Sequence, residues 1–246
     1  IPSFGISWSL GVDGIAALLI VMATVLVPLV IIAGWWDAEN SGKGSVKGFF
    51  TWVLLLEACM IGVFAATDVF LFYIFFEVML IPVYFLIGGY GTGERSKAAV
   101  KFLLYSLLGG LLMLAAIIGL YVIASSEVGR TFDIGALSTL KIAHSTQNWL
   151  FLGFFIAFAI KAPLFPFHTW LPDAAQSATP GTSVLLLGVL DKVGTFGMIR
   201  YCLTLFPEAT KTFTPTILVL SVISVIYGAF LAIGQRDIKR LIAFTS

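Results

Sequence analysis

Residues 154–174 read FFIAFAIKAPLFPFHTWLPDA, and this stretch decides how the chain folds. It begins as an apolar run, reaches Lys161, and then passes through two prolines, Pro163 and Pro166. Each proline lacks a backbone N–H and leaves the carbonyl group four residues earlier without its usual partner. We therefore predict a helix that breaks between Lys161 and His168. Such a break is tolerated at membrane depth only where protein or a water-filled cavity surrounds the freed backbone groups.

The composition of the whole chain places this broken helix in a membrane. Of the 246 residues, 59% are hydrophobic and 11% are charged, against about 25% charged residues in an average soluble domain. The mean hydropathy is +1.04, and a soluble domain of this length could not bury so much apolar surface. A net charge of +1 gives no electrostatic reason to bind nucleic acid. These values exclude a soluble globular protein.

Seven apolar segments are long enough to span a membrane, and an eighth begins near the end of the chain. Each of the seven is close to the roughly 20 residues that cross a hydrocarbon core, and none shows the alternation of a membrane β-strand. We predict helices over approximately 9–34, 48–66, 68–90, 98–124, 148–165, 181–204, 214–234 and from 238 onward. The predicted fold class is all-α, a polytopic transmembrane helix bundle that forms a single domain over residues 1–246. Because the chain starts at Ile1 and stops inside an apolar segment, we expect a portion of a longer membrane protein.

Charged residues within the apolar segments are the most informative, and we single out Glu57, Glu77, Lys161 and Lys192. A charge at the centre of a membrane helix costs at least about 2.5–3.5 kcal/mol on insertion scales unless it pairs or faces water. Counting at 1.5 Å per residue from the segment ends places all four near the midplane. We interpret Glu77, Lys161 and Lys192 as a row of titratable groups, and structural ion pairing between helices is the alternative. For Glu57 both readings stay open, although its depth suggests that it approaches Glu77.

Several neighbouring residues receive simpler interpretations. His168 could relay protons, because its unperturbed pKa is about 6.5, or it could be an interfacial histidine with its hydrogen bonds satisfied. Asp13 is read as a capping or interface carboxylate, and Trp170 as an interfacial anchor. Asp191 adjoins Lys192, but neighbours on a helix do not face each other, so we predict no pair between them.

The sequence contains no motif for a redox cofactor or a metal. A P-loop, a GxGxxG loop, a CxxC pair and a paired-histidine motif are all missing, and Cys59 and Cys202 lie far apart in apolar runs. We therefore expect no cofactor and no metal site in this chain.

Five stretches carry a resemblance to a known family. They are GVDGIAALL (11–19), DVFLFYIFFEVMLIPVYFLIGGYG (68–91), FFIAFAIKAPLFPFHTWLPDA (154–174), GVLDKVGTFGMIRY (188–201) and YGAFLAIGQRDIKRLIAFTS (227–246). The chain resembles the antiporter-like membrane subunits of proton-pumping NADH:quinone oxidoreductase, respiratory complex I, and among these the M chain, also called chain 4. The resemblance covers essentially the whole chain, and the third and fourth stretches are its most specific part. The L chain and the sodium/proton antiporter subunits share a looser form of the WLPDA motif.

The resemblance implies a fold and a set of site residues. The family fold has two five-helix repeats of inverted topology, and this chain would hold one complete repeat with the start of the second. Glu77 matches the key carboxylate of the family, Lys161 its central lysine at the broken helix, and Lys192 the lysine of the following helix. The family's glutamate–lysine pair is thought to alternate between paired and separated states as protons move. Glu57 matches no motif of the family.

The resemblance also implies a function and partners. The chain would be a proton-translocating subunit of NADH:quinone oxidoreductase with no redox centre of its own, while FMN, iron–sulfur clusters and quinone bind to other subunits. Its partners would be other membrane subunits of complex I, including neighbouring antiporter-like chains, together with the lipid bilayer and no nucleic acid. Its location would be a bacterial plasma membrane or an organellar inner membrane. A subunit of a multisubunit sodium/proton antiporter and a structural membrane anchor are the alternatives.

Overall fold

A computed structural model describes residues 4–36, 39 and 45–246, and all regular elements in this part of the chain are helices. In chain order they are α1 Gly14–Ala33, α2 Val46–Ala65, α3 Val69–Tyr90, α4 Arg95–Glu127, α5 Ile134–Leu137, α6 His144–Lys161, α7 Trp170–Ser177, α8 Pro180–Leu205, α9 Pro207–Ile233 and α10 Ile238–Thr245. Two of them are irregular: α3 has a turn at Met79, and α8 contains wider π-turns at Leu186–Leu190 and Met198–Cys202. The all-α fold class predicted from the sequence is confirmed.

Six of these helices, α1 to α4, α8 and α9, are long and apolar enough to cross a membrane. The fifth predicted segment, 148–165, differs from the observed helix, because α6 starts earlier with a polar turn and ends at Lys161. The seventh segment also starts earlier than predicted, since Pro207 occupies the first turn of α9, where a proline is tolerated. Along α9 few side chains are buried within the chain, so this helix leaves most of its apolar surface open to lipid or to protein.

A buried aspartate fixes the start of α3, the helix that carries Glu77. Asp68 is fully buried, and its Oδ1 atom accepts hydrogen bonds from the backbone N–H groups of Phe70 at 3.0 Å and Leu71 at 2.9 Å. Its other oxygen accepts both the backbone N–H and the hydroxyl of Ser7. A carboxylate that caps a helix satisfies N–H groups that have no partner within the helix. This cap sets the position of Glu77 nine residues further along α3.

Aromatic rings fill the core where α3, α6 and α8 meet. The rings of Phe72 and Tyr201 lie 4.3 Å apart between centroids, and both contact Phe158 at about 6 Å. Gly194 lets α8 come close to α6, because a Cβ atom there would lie 2.5 Å from the Ala162 backbone nitrogen. The packing therefore holds α8 directly against the point where α6 breaks.

Candidate functional site

The predicted break in the helix is present. The helix α6 ends at Lys161, a short 3₁₀ turn follows at Phe167–Thr169, and α7 begins at Trp170. The last regular bond runs from the Ala162 N–H group to the Phe158 carbonyl at 2.7 Å. The helical hydrogen-bond pattern therefore stops one residue after Lys161.

Trp170 closes the end of the broken helix. The Leu164 N–H group donates to the Ala159 carbonyl at 2.9 Å, so the Ile160 carbonyl lacks its helical partner. The Trp170 indole Nε1–H group donates to that carbonyl at 2.8 Å. The reading of Trp170 as an interfacial anchor is wrong, because the side chain is fully buried and its polar N–H group is used inside the protein.

Lys161 lies at the C-terminal end of α6 and is buried, with 1% of its surface exposed. Its Nζ atom has no hydrogen-bond partner among the described residues. The nitrogen lies over two aromatic rings, 5.2 Å from the centroid of Phe76 and 5.1 Å from that of Phe102. A desolvated cation–π contact contributes about 2 kcal/mol, and the negative end of the α6 dipole adds to the attraction. These contacts attract the ammonium group but supply no counter-ion for it.

Glu77 is the charged group that faces this lysine. Its side chain interacts electrostatically with Lys161, but the two do not form an ion pair in the described part of the chain. The carboxylate packs against Gly110 of α4, where any Cβ atom would overlap its Oε1 atom. That oxygen is buried and has no hydrogen-bond partner among the residues described. Glu77 and Lys161 are therefore close enough to interact electrostatically but do not form an ion pair.

Lys192, unlike Lys161, forms an ion pair and is partly exposed. Its Nζ atom forms an ion pair with the Asp191 Oδ2 atom at 2.9 Å, and 43% of the lysine side chain is exposed in this chain. The prediction that these neighbours do not pair is wrong, because a flexible lysine side chain can fold back onto the preceding residue. Asp191 itself is buried, follows the π-turn at Leu186–Leu190 and also accepts a hydrogen bond from Ser246 at 2.6 Å.

The remaining two candidates, His168 and Glu57, form no hydrogen bond or ion pair with Glu77 or Lys161 among the described residues. His168 packs its ring against Phe165 and Tyr227, with centroids 5.8 and 5.4 Å away, beside a cavity of about 440 Å³. Glu57 has no charged neighbour among the described residues, and the charged neighbour of Glu77 is Lys161. The approach of Glu57 to Glu77 stays a prediction.

An ion-pair cluster that the sequence did not indicate holds α7, the helix that follows the break. Asp173 of α7 contacts Lys101 of α4 at 2.7 Å and Arg240 of α10 at 3.0 Å. The partners are distant in sequence, so spacing alone carried no signal for them. The WLPDA motif that contains Asp173 was the one available hint. In the described ranges, no group of three or more His, Cys, Asp or Glu side chains could hold a metal ion.

A polytopic helical bundle with a buried lysine at a broken helix, facing a carboxylate on another helix, defines an antiporter-like membrane subunit. The family model described as NADH:quinone oxidoreductase/Mrp antiporter, TM, matches residues 66–246. The chain belongs to this family, and the resemblance described from its motifs is confirmed.

Individual relatives agree with this assignment. NADH-quinone oxidoreductase subunit M from Mycobacterium tuberculosis is 50% identical over 278 residues, covering 100% of this chain and 50% of the relative. NADH-ubiquinone oxidoreductase chain 4 from Arabidopsis thaliana is 40% identical over 247 residues, covering 100% and 48%. A chain of respiratory complex I from Thermus thermophilus with bound NADH matches with a TM-score of 0.85 at 36% identity, covering 99% of this chain and 50% of that one. The chain thus spans about half the length of the relatives it matches.

Proposed function

We propose that the chain moves protons as part of subunit M of an NADH:quinone oxidoreductase. The observation that carries the proposal is the buried, unpaired Lys161 at the end of a broken helix, with the Glu77 carboxylate in its electrostatic field. A buried charge is expensive in a membrane and is retained mainly where it serves transport. A structural anchor has no need of an uncompensated ammonium group at this position.

The two groups work as a switch in this proposal. An ionised Glu77 stabilises the protonated Lys161, and the aromatic faces of Phe76 and Phe102 hold the ammonium group between transfers. When Glu77 gains a proton or moves away, the lysine loses this support and releases its proton. Breaks in helices are the places where transporters bind ions, and the break here leaves Lys161 at the start of an irregular segment.

Further residues complete the proposed path. Lys192 takes the role of the next titratable group, because Gly194 brings its helix against the end of α6. His168 relays protons at the far end of the break, and Glu57 contributes less directly. The proposed assembly contains other membrane subunits of complex I, and electron transfer through FMN, iron–sulfur clusters and quinone occurs on other chains. It lies in a bacterial plasma membrane or an organellar inner membrane.

The test is Lys161→Ala in the assembled complex. We expect most NADH-driven proton uptake to disappear while the amount of assembled complex stays unchanged. Both quantities are measured in the same membranes, because a lysine that only stabilises packing would lower assembly and proton uptake in proportion. That proportional loss would contradict the proposal.

A subunit of a multisubunit sodium/proton antiporter is the second candidate, since the matching family description includes Mrp antiporters. The GVLDKVGTFGMIRY stretch favours the oxidoreductase. Purification of the native assembly separates the two candidates: NADH dehydrogenase activity is expected, and sodium/proton exchange without it would favour the antiporter.

A further inference from the structure

One buried face of α4 contacts both Glu77 and Lys161. Phe102, Ser106 and Gly110 recur at intervals of four residues and therefore share this face. The ring of Phe102 lies under the Lys161 ammonium group, and Gly110 lies against the Glu77 carboxylate. Ser106 is thus placed midway, about 6 Å along the helix axis from each of the other two positions.

The hydroxyl group of Ser106 has an unusual environment. The residue is 2% exposed, and its Oγ atom has no hydrogen-bond partner among the described residues. Serines in helices commonly donate back to their own helix, as Ser125 and Ser126 of α4 do, at 2.8 and 2.7 Å to carbonyls three residues earlier. Ser106 does not, so its hydroxyl remains available to the space between the helices.

Three buried polar atoms without partners therefore belong to side chains at the junction of α3, α4 and α6, which we call the wedge. They are Oε1 of Glu77, Oγ of Ser106 and Nζ of Lys161. A buried water molecule needs two to four polar partners, and these atoms supply an acceptor, a hydroxyl that serves as either donor or acceptor, and a donor. A Cβ atom added at Gly109 would lie 3.1 Å from the Cα atom of Ala157 of α6, so α4 and α6 pack closely beside the wedge.

We propose that Ser106 binds water between Glu77 and Lys161 and that this water carries protons between them. The inference rests on the proposed function. In the transfer step, the Lys161 ammonium group gives a proton to the water as the water gives one to the Glu77 carboxylate. The ammonium group and the carboxylate become a neutral amine and a neutral carboxylic acid, and the water is regenerated. Ser106 is a positioning residue that holds the water through its hydroxyl group.

The first test compares three variants in the assembled complex. Ser106→Ala is expected to lower proton transport per NADH oxidised about three- to tenfold, the effect of losing one hydrogen bond of ordinary strength. Ser106→Thr keeps the hydroxyl and is expected to recover most of the transport. Ser125→Ala removes a hydroxyl that bonds only to its own helix and is expected to change nothing. Normal transport by Ser106→Ala, or equal loss in Ser106→Ala and Ser106→Thr, would overturn the proposal.

A second measurement does not depend on how well the variants assemble. A high-resolution structure of the unmodified complex should show water within hydrogen-bond distance of the Ser106 Oγ atom, and a dry wedge would overturn the proposal.

Glu77→Gln and Lys161→Ala serve as references for transport. If both pump normally, the proposed function fails and this inference falls with it. If both lose transport while Ser106→Ala does not, only the role of Ser106 is refuted.

Discussion

Gly110 provides a direct test of whether the position of the Glu77 carboxylate matters. A methyl group at this position would overlap the Glu77 Oε1 atom and lie 2.6 Å from its carboxyl carbon. In a helix, alanine is favoured over glycine by about 0.8–1.0 kcal/mol, whereas overpacking costs about 1–3 kcal/mol. The two effects largely offset each other, so we expect Gly110→Ala to change stability by at most about 2 kcal/mol.

The expected effect on transport is much larger than the effect on stability. The carboxylate must move by an ångström or more to make room, and a misplacement of that size at a reacting group can cost about a hundredfold in rate. We expect at least a tenfold loss of proton uptake per NADH oxidised in membranes that contain normal amounts of assembled complex.

Two further variants test whether the loss of transport arises from the contact between residue 110 and the Glu77 carboxylate. Gly89→Ala adds the same methyl group to α3 where no atom lies within 4 Å, and it should leave transport unchanged. Combining Gly110→Ala with Glu77→Asp shortens the carboxylate and removes the overlap, so the double variant should transport better than the product of the two single effects predicts. Normal transport by Gly110→Ala, or strictly multiplicative losses in the double variant, would refute the argument.

The main parts of the site were visible in the sequence because their signals are local. Prolines at 163 and 166 break a helix wherever it lies, and Glu77 and Lys161 stand out because charges are rare in apolar segments. These signals located the break and identified the pair. They did not determine whether the two groups touch, because that depends on how α4 packs between their helices.

The features that the sequence did not reveal all depend on contacts between distant residues. Trp170 looked like an interfacial anchor because tryptophan at the end of an apolar segment usually is one, and nothing local shows that its N–H group closes the end of α6. The pairing of Lys192 with Asp191 depends on a lysine rotamer that no spacing rule describes. Ser106 is a lone serine in an apolar helix, and only its burial without a partner makes it informative.

Glu77→Gln should abolish most proton transport and Glu57→Gln should reduce it only moderately, because Glu57 has no charged neighbour among the described residues; equal effects in transport assays would contradict this difference. Trp170→Phe retains an aromatic ring against its neighbours but leaves the Ile160 carbonyl at the helix break without the donor that now lies 2.8 Å away. An unsatisfied buried carbonyl costs about 1–3 kcal/mol, so the complex should unfold at a lower temperature, as measured by loss of assembled complex on heating. Transport before heating should fall less than in Lys161→Ala, since the lysine keeps both of its aromatic contacts; unchanged thermal stability would show that water satisfies the carbonyl and that Trp170 is not required to close the helix end.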